Sequence, residues 1–362
     1  MAKARMSEVV TEVRGKAGLI TLNRPKALNA LSLAMIRDLS AALRAFERDG
    51  RVELVAVRGQ GREGPFGAFC AGGDIRFFHR AALADDSQLE DFFTEEYTLN
   101  HQVHHFPKPY AVFLDGIVMG GGMGISGHGR SGATMRVATE RTKMAMPETN
   151  IGLFPDVGGG YFLPRCPGRI GEYLALTGLP ITGADALAVG LADVLVDSGQ
   201  LSLLWDSLEQ GTAALRNISG ATAPSELQGR QGAIARFFGL PSVSQIVMAL
   251  EADGTAWARE TAQLLRKRSP LMLNVALEQL RRGRAMGLAD ELRMERGMVR
   301  HCFHLRPGAA GETVEGIRAF AIDKDHRPKW NPERIEDVMP AMVEAFFDSP
   351  WPASAHPLRD LA

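Results

Sequence analysis

The sequence predicts an α/β core followed by a purely helical region. Three observations carry that expectation. A strand, a glycine-rich turn and a helix recur three times within about 130 residues. Strand patterning ceases near Leu201, beyond which only helical patterns remain. The 362-residue chain is 45% hydrophobic and 23% charged, close to the globular norm, so it can bury a sizeable core.

Each element has its own signal. Residues 8–13 and 19–22 alternate or run apolar around Gly15 and Gly18, which predicts a β-hairpin. Ser32 is placed to N-cap a helix whose apolar face is Met35, Ile36, Leu39, Leu43 and Phe46. Residues 54–57 read as a buried strand, and a glycine-rich loop over 59–67 follows. Residues 75–83 and 88–106 have helical patterns; Pro107 and Pro109 stop the second. Residues 110–114 are the next strand and run straight into Gly116. A helix opens within 120–126, and a short strand follows at 134–137. Thr182 caps a short helix reaching Gly190, and residues 193–196 form the last strand. Ser269-Pro270 starts a later helix, an N-cap followed by Pro at the first helical position, with Leu273, Leu277 and Leu280 on one face. No low-complexity linker intervenes, so the expected division is a core at 8–200 and a helical region at 201–362 packed on it.

Charge and cysteines narrow the function classes. Lys+Arg total 41 and Asp+Glu 42, a net charge of −1, which argues against a coat for nucleic acid or anionic membrane. Cys70, Cys166 and Cys302 are far apart and form no C-x-x-C pair, so buried free thiols are expected rather than disulfides or zinc. The segment MAKARMSEVV has no apolar h-region, and the apolar stretch 110–126 is interrupted by Asp115 and glycines. A soluble, cytoplasmic protein is the expectation.

Glycine is in excess: 39 residues, against a typical ~7%. The densest cluster, Gly120–Gly127, holds a G-x-G-x-x-G, but it lies too far along the chain to open a dinucleotide fold. It lacks the Gly-Lys-Ser/Thr of a phosphate loop, and His128 spoils the serine-hydrolase elbow. Two strand-to-helix turns, at Ala71-Gly72-Gly73 and Gly120-Gly121-Gly122, suit a ligand lying against bare backbone. Two N–H groups converging on one carbonyl make an oxyanion hole. Tight helix–strand packing explains the same glycines equally.

These motifs resemble a known family. Leu22-Asn23-Arg24-Pro25, Leu28-Asn29-Ala30-Leu31, Phe69-Cys70-Ala71-Gly72-Gly73-Asp74-Ile75 and Asp115-Gly116 through Gly122 look like the crotonase (enoyl-CoA hydratase/isomerase) superfamily. Met146-Pro147-Glu148-Thr149, the run from Ile151 through Asp156 to Tyr161, Asp323-Lys324-Asp325 and Pro328-Lys329-Trp330 resemble its 3-hydroxyisobutyryl-CoA hydrolase branch. The resemblance covers about residues 8–345. It implies a crotonase-like spiral of ββα repeats with a C-terminal helical region, and an acyl-CoA site.

The family resemblance also assigns residues. It makes the N–H groups of Gly73 and Gly121 the oxyanion hole, and places Lys26, Ala71 and Arg76 on the CoA side, with Lys324 a weaker candidate. Hydratases use two glutamates; one aligns with Glu148, the other with Gly124, which has no carboxylate. The hydrolase branch pairs Glu148 with Asp156. Glu96 aligns with a substrate contact. From residues alone, Glu148 also reads as a loop acid, Asp156 as a helix N-cap and Glu96 as an exposed helix acid. The implied chemistry is thioester hydrolysis: Glu148 attacks as nucleophile, or serves a water as general base, while Asp156 orients the substrate hydroxyl or Glu148. The implied substrate is 3-hydroxyisobutyryl-CoA, from valine breakdown. The rivals are an enoyl-CoA hydratase or isomerase and a non-catalytic acyl-CoA scaffold. No cofactor is expected, since coenzyme A is part of the substrate, and no metal at His101, His104 and His105. Partners are the acyl-CoA and, in many superfamily members, further copies of the chain. The runs Arg266-Lys267-Arg268 and Arg281-Arg282 read as solvated helix faces. Residues 129–134 look about four residues longer than the family's usual link, which bears on the acyl pocket.

Overall fold

The computed structural model describes residues 7–128 and 134–362, so most of the longer link at 129–134 lies outside the described residues. The strands are β1 (Val9–Arg14), β2 (Ala17–Leu22), β3 (Leu54–Gly59), β4 (Tyr110–Leu114), β5 (Ile117–Met119), β6 (Thr134–Thr139), β7 (Lys143–Ala145), β8 (Ile181–Thr182) and β9 (Val194–Val196). The helices used below are α1 (Leu33–Arg48), α2 (Ile75–Ala84), α3 (Gln88–His104), α4 (Gly121–Gly124), α5 (Gly159–Phe162), α6 (Ile170–Thr177) and α7 (Gly183–Ala188). Later helices are given by their residues.

The chain forms two compact units that interleave in sequence. The first comprises residues 7–73, 99–128, 134–144 and 181–225; the second comprises 74–98, 145–180 and 226–362.

In the first unit a six-stranded sheet runs in the order β1-β2-β3-β4-β6-β9. β1 and β2 are the expected antiparallel hairpin, and the remaining pairs are parallel. Ile20 faces Val57, Val57 faces Val112, and Val112 faces Arg136 across four successive strands. β4 is buried at all its positions, as a strand covered on both faces must be. Leu19, Ala56 and Phe113 pack against Trp205, whose ring lies 5.4 Å from that of Phe113. Ser32 caps α1 as expected, its Oγ accepting from the Met35 N–H at 3.2 Å, and the expected face of α1 is buried. Thr182 and Asp185 form a reciprocal capping box on α7.

Two local expectations are corrected. A second, three-stranded sheet, β5-β7-β8, was not anticipated; strands of two or three residues are too short to show periodicity. The helix expected to open at 120–126 is only the four residues of α4.

The second unit is helical. Phe78, Phe92, Phe93 and Phe303 cluster with ring centroids 4.7–6.5 Å apart, and Tyr97 joins them through Phe93. The helix Pro270–Gly283 begins as expected, Ser269 Oγ accepting from the Met272 N–H at 3.2 Å. Among the described residues no helix is long and apolar enough to cross a membrane. The three cysteines are buried free thiols.

Candidate active site

The two glycine turns meet inside the first unit. Cys70 bonds to the strand after β4: its N–H donates to the Ile117 carbonyl at 3.0 Å, and the Met119 N–H donates to the Cys70 carbonyl at 2.9 Å. That pairing brings the chain after Cys70 alongside the chain after Met119. Gly72 has φ +98°, and a Cβ on it would lie 3.2 Å from the Met119 carbonyl oxygen and 3.6 Å from the Gly121 nitrogen. Glycine at 72 therefore permits both the conformation and the approach. Gly121 is the first residue of α4, where N–H groups have no partner within the helix. Among the described residues, neither the Gly73 nor the Gly121 N–H has a backbone acceptor.

The CoA-side candidates are distributed as follows. Ala71 donates its N–H to the Leu28 carbonyl at 3.0 Å, just beyond the turn Pro25–Ala27 that carries the exposed Lys26. Arg76 is exposed in the first turn of α2, and Lys324 is exposed too.

The predicted acids gather inside the second unit. Glu148 begins the 3-10 turn Glu148–Ile151, which opens at Pro147 and closes at the left-handed Gly152. Its neighbours hold that turn on three sides. Thr149 Oγ1 donates to the Leu176 carbonyl at 3.2 Å, and Thr313 Oγ1 to the Gly152 carbonyl at 2.6 Å. Arg268 donates to Asn150 Oδ1 and, at 2.6 and 3.0 Å, to the Thr177 carbonyl. Glu148 is buried, and its Oε2 has no hydrogen-bond partner.

Asp156 is also buried, and its Oδ2 accepts from the Tyr97 hydroxyl at 2.9 Å. The N-cap reading fails: Gly158 occupies the N-cap of α5, and no side chain caps it. Glu96 is no exposed helix acid either. It is 2% exposed, and its Oε1 has no partner.

These acids raise one another's proton affinity. Burial, then the Asp156 charge, then that of Glu148 push the Glu96 carboxyl well above its ordinary range. Burial and Asp156 do the same to Glu148. Asp156 is pushed up to about 7 by burial and by Glu295, although the Tyr97 hydrogen bond pulls the other way. Buried acids that shift one another in this way mark a site suited to proton and acyl-transfer chemistry. Among the described residues no group of His, Cys, Asp or Glu has metal-holding geometry.

Sequence reasoning missed several residues here. Arg268 is no solvated helix face: burial pushes its guanidinium down to about 10 while it ties down the Glu148 turn. Glu291 and Glu295 are fully buried on the helix Leu288–His304. A signal existed. Both share one helical face with Leu288, Leu292, Val299 and Cys302.

The family model for enoyl-CoA hydratase/isomerase matches residues 17–347 of this chain. The chain belongs to the enoyl-CoA hydratase/isomerase family. Within that family it is 41% identical to a Danio rerio protein named 3-hydroxyisobutyryl-CoA hydrolase, mitochondrial, over 96% of this chain and 91% of that one. Among solved structures it is 37% identical to a carnitinyl-CoA dehydratase from Mycobacterium thermoresistibile, with a TM-score of 0.88 over 98% of this chain and 99% of that one. It is also 37% identical to an enoyl-CoA hydratase from Rhodobacter sphaeroides 2.4.1, with a TM-score of 0.87 over 95% and 98%. The family's fold therefore accounts for the parallel sheet, the glycine turns and the helical C-terminal region together.

Proposed function

We propose that this chain hydrolyses the thioester of a short β-hydroxyacyl-CoA, with 3-hydroxyisobutyryl-CoA as substrate and 3-hydroxyisobutyrate and CoA as products. That reaction belongs to valine breakdown. The observation that carries the reading is the buried pair Glu148 and Asp156, which have raised proton affinities, with Glu96 in the same cluster. The name of the Danio rerio relative supports the same chemistry.

The residues take these roles. The Gly73 and Gly121 N–H groups bind the thioester oxygen as negative charge develops on it, an oxyanion hole. Glu148, as carboxylate, attacks the carbonyl carbon; the C–S bond breaks and CoA leaves as thiolate. Water then cleaves the acyl-enzyme anhydride, releasing the acid and restoring Glu148. Asp156 orients the substrate hydroxyl or Glu148, and Glu96 binds the hydroxyl end. Lys26, Ala71 and Arg76 bind the CoA moiety. No cofactor takes part. Buried free thiols suit the reducing cytoplasm, the compartment this reading assigns, whereas the Danio rerio relative's name says mitochondrial.

The names of the two solved relatives favour a second reading, hydration of an enoyl-CoA. Against it stands Gly124, which is buried in α4 where the resemblance expects a second glutamate. A thiol reagent following CoA release from 3-hydroxyisobutyryl-CoA separates the two. Release is expected, and Glu148→Gln should lower it by about 10³-fold or more without weakening CoA binding. No release, together with water addition to crotonyl-CoA, would sink the hydrolase reading.

A further inference from the structure

Two buried carboxyls have no role in the hydrolysis above. Glu291 and Glu295 lie one helical turn apart on the helix Leu288–His304. Glu295 Oε2 accepts from the Gly158 N–H at 2.8 Å, and its Oε1 from the Gly160 N–H at 3.1 Å. Gln279 Nε2 donates to the same Oε1 at 2.8 Å and to the Pro155 carbonyl at 2.7 Å. One carboxyl and one amide thus grip the chain on both sides of Asp156.

That turn needs holding. Val157 has φ +56° and Gly158 has φ +89°. A β-branched residue in the left-handed region is strained, and it persists only where its surroundings over-determine it. The close approach is built in as well. A Cβ on Gly160 would lie 2.2 Å from Glu291 Oε1 and 3.1 Å from Gln279 Nε2.

We propose that Glu295, braced by Gln279, is a positioning residue that fixes where the Asp156 carboxyl sits during hydrolysis. The inference rests on the role given to Asp156 above. Burial pushes both Glu291 and Glu295 up; the Asp156 charge adds to the rise of Glu291 and the Glu291 charge to that of Glu295, while Glu295 and Gln279 pull Glu291 back down. The charge of Glu295 in turn raises the proton affinity of Asp156. Asp156 is also coupled to Tyr97 and Glu96 of α3, Glu148 on its turn, and Glu291 and Cys302 of the same helix as Glu295; Arg165 acts on Glu291.

The test uses the full chain and thiol release from 3-hydroxyisobutyryl-CoA. Glu295→Gln removes the charge and one of the two acceptor oxygens. Its kcat should fall about 10- to 100-fold with KM within about twofold, because a misplaced group loses rate rather than substrate. The acid limb of its pH profile should move to lower pH. The double variant Asp156→Asn/Glu295→Gln should be no slower than Asp156→Asn alone, since Glu295 acts through Asp156. Wild-type kcat and acid limb in Glu295→Gln, or a multiplicative loss in the double variant, overturn the proposal. If Glu295→Gln does not fold, as judged by near-UV circular dichroism, Gln279→Met replaces it. That variant removes both amide hydrogen bonds without a charge change, so kcat should fall while the acid limb stays; unchanged kcat overturns the proposal. The two readings fail differently. Full turnover in Asp156→Asn rejects the role of Asp156, whereas full turnover in Glu295→Gln beside an inactive Asp156→Asn rejects only the positioning.

Discussion

The phenol of Tyr97 donates to Asp156 Oδ2 at 2.9 Å, with both groups buried. A donor on a carboxylate stabilises its ionised form, so this bond opposes the burial that pushes Asp156 up to about 7. Tyr97 is itself fixed by the aromatic cluster through Phe93.

Removing that donor has a signed consequence. In Tyr97→Phe the ring still packs against Phe93, but Asp156 loses its hydrogen bond and holds its proton more tightly. The acid limb of kcat/KM for thiol release should move to higher pH by about one unit. A profile of kcat/KM between pH 5 and pH 9 measures it. A limb that stays in place means that Asp156 does not set it.

The same cluster burdens stability. Asp156 rises from 3.8 to about 7, so the folded chain binds this proton more tightly than the unfolded chain. Its contribution to stability is whole below about 3.8, shrinks as pH rises, and is gone above about 7. Asp156→Asn has nothing to ionise. It should be more stable than wild type at pH 8, by on the order of 1–2 kcal/mol, with the difference shrinking toward pH 4. Denaturant midpoints at the two pH values measure it. Equal or lower stability at pH 8 means that the buried carboxylate is not destabilising.

What was legible in the sequence follows a physical division. Local signals were readable: Ser32, Thr182 and Ser269 cap helices because the cap bond spans only three residues. The glycine turns were readable as turns because glycine takes the positive φ of Gly72 and Gly120 without strain, although packing explained the same glycines equally. Glu148, Asp156 and Glu96 were picked out by family resemblance; their patterns alone equally fit a loop acid, a cap and a solvated helix face. Arg268 and Glu295 were misread or missed for a common reason. Charged residues on helices and in the turns that join them usually face water, and only a contact distant in sequence says otherwise. Arg268 reaches Asn150 and Thr177, and Glu295 reaches Gly158 and Gly160. The short strands β5, β7 and β8 were invisible because two or three residues hold no period.

The glycine turns give the last prediction. Gly72 combines φ +98° with a Cβ position 3.2 Å from the Met119 carbonyl oxygen, while its own carbonyl accepts from the Leu31 N–H at 2.8 Å. An alanine there must shift the backbone, and the neighbouring Gly73 N–H moves with it. Gly72→Ala should lose about 1–3 kcal/mol of stability. Thiol release should fall more than about tenfold, since a displaced oxyanion donor no longer meets the developing charge. Gly64→Ala is the matched control: nothing lies within 4 Å of a Cβ at that position, so stability should change by less than about 0.5 kcal/mol. Denaturant midpoints and initial rates on the two variants decide the matter. If Gly72→Ala retains wild-type turnover, the placement of the Gly73 N–H is not what polarises the thioester.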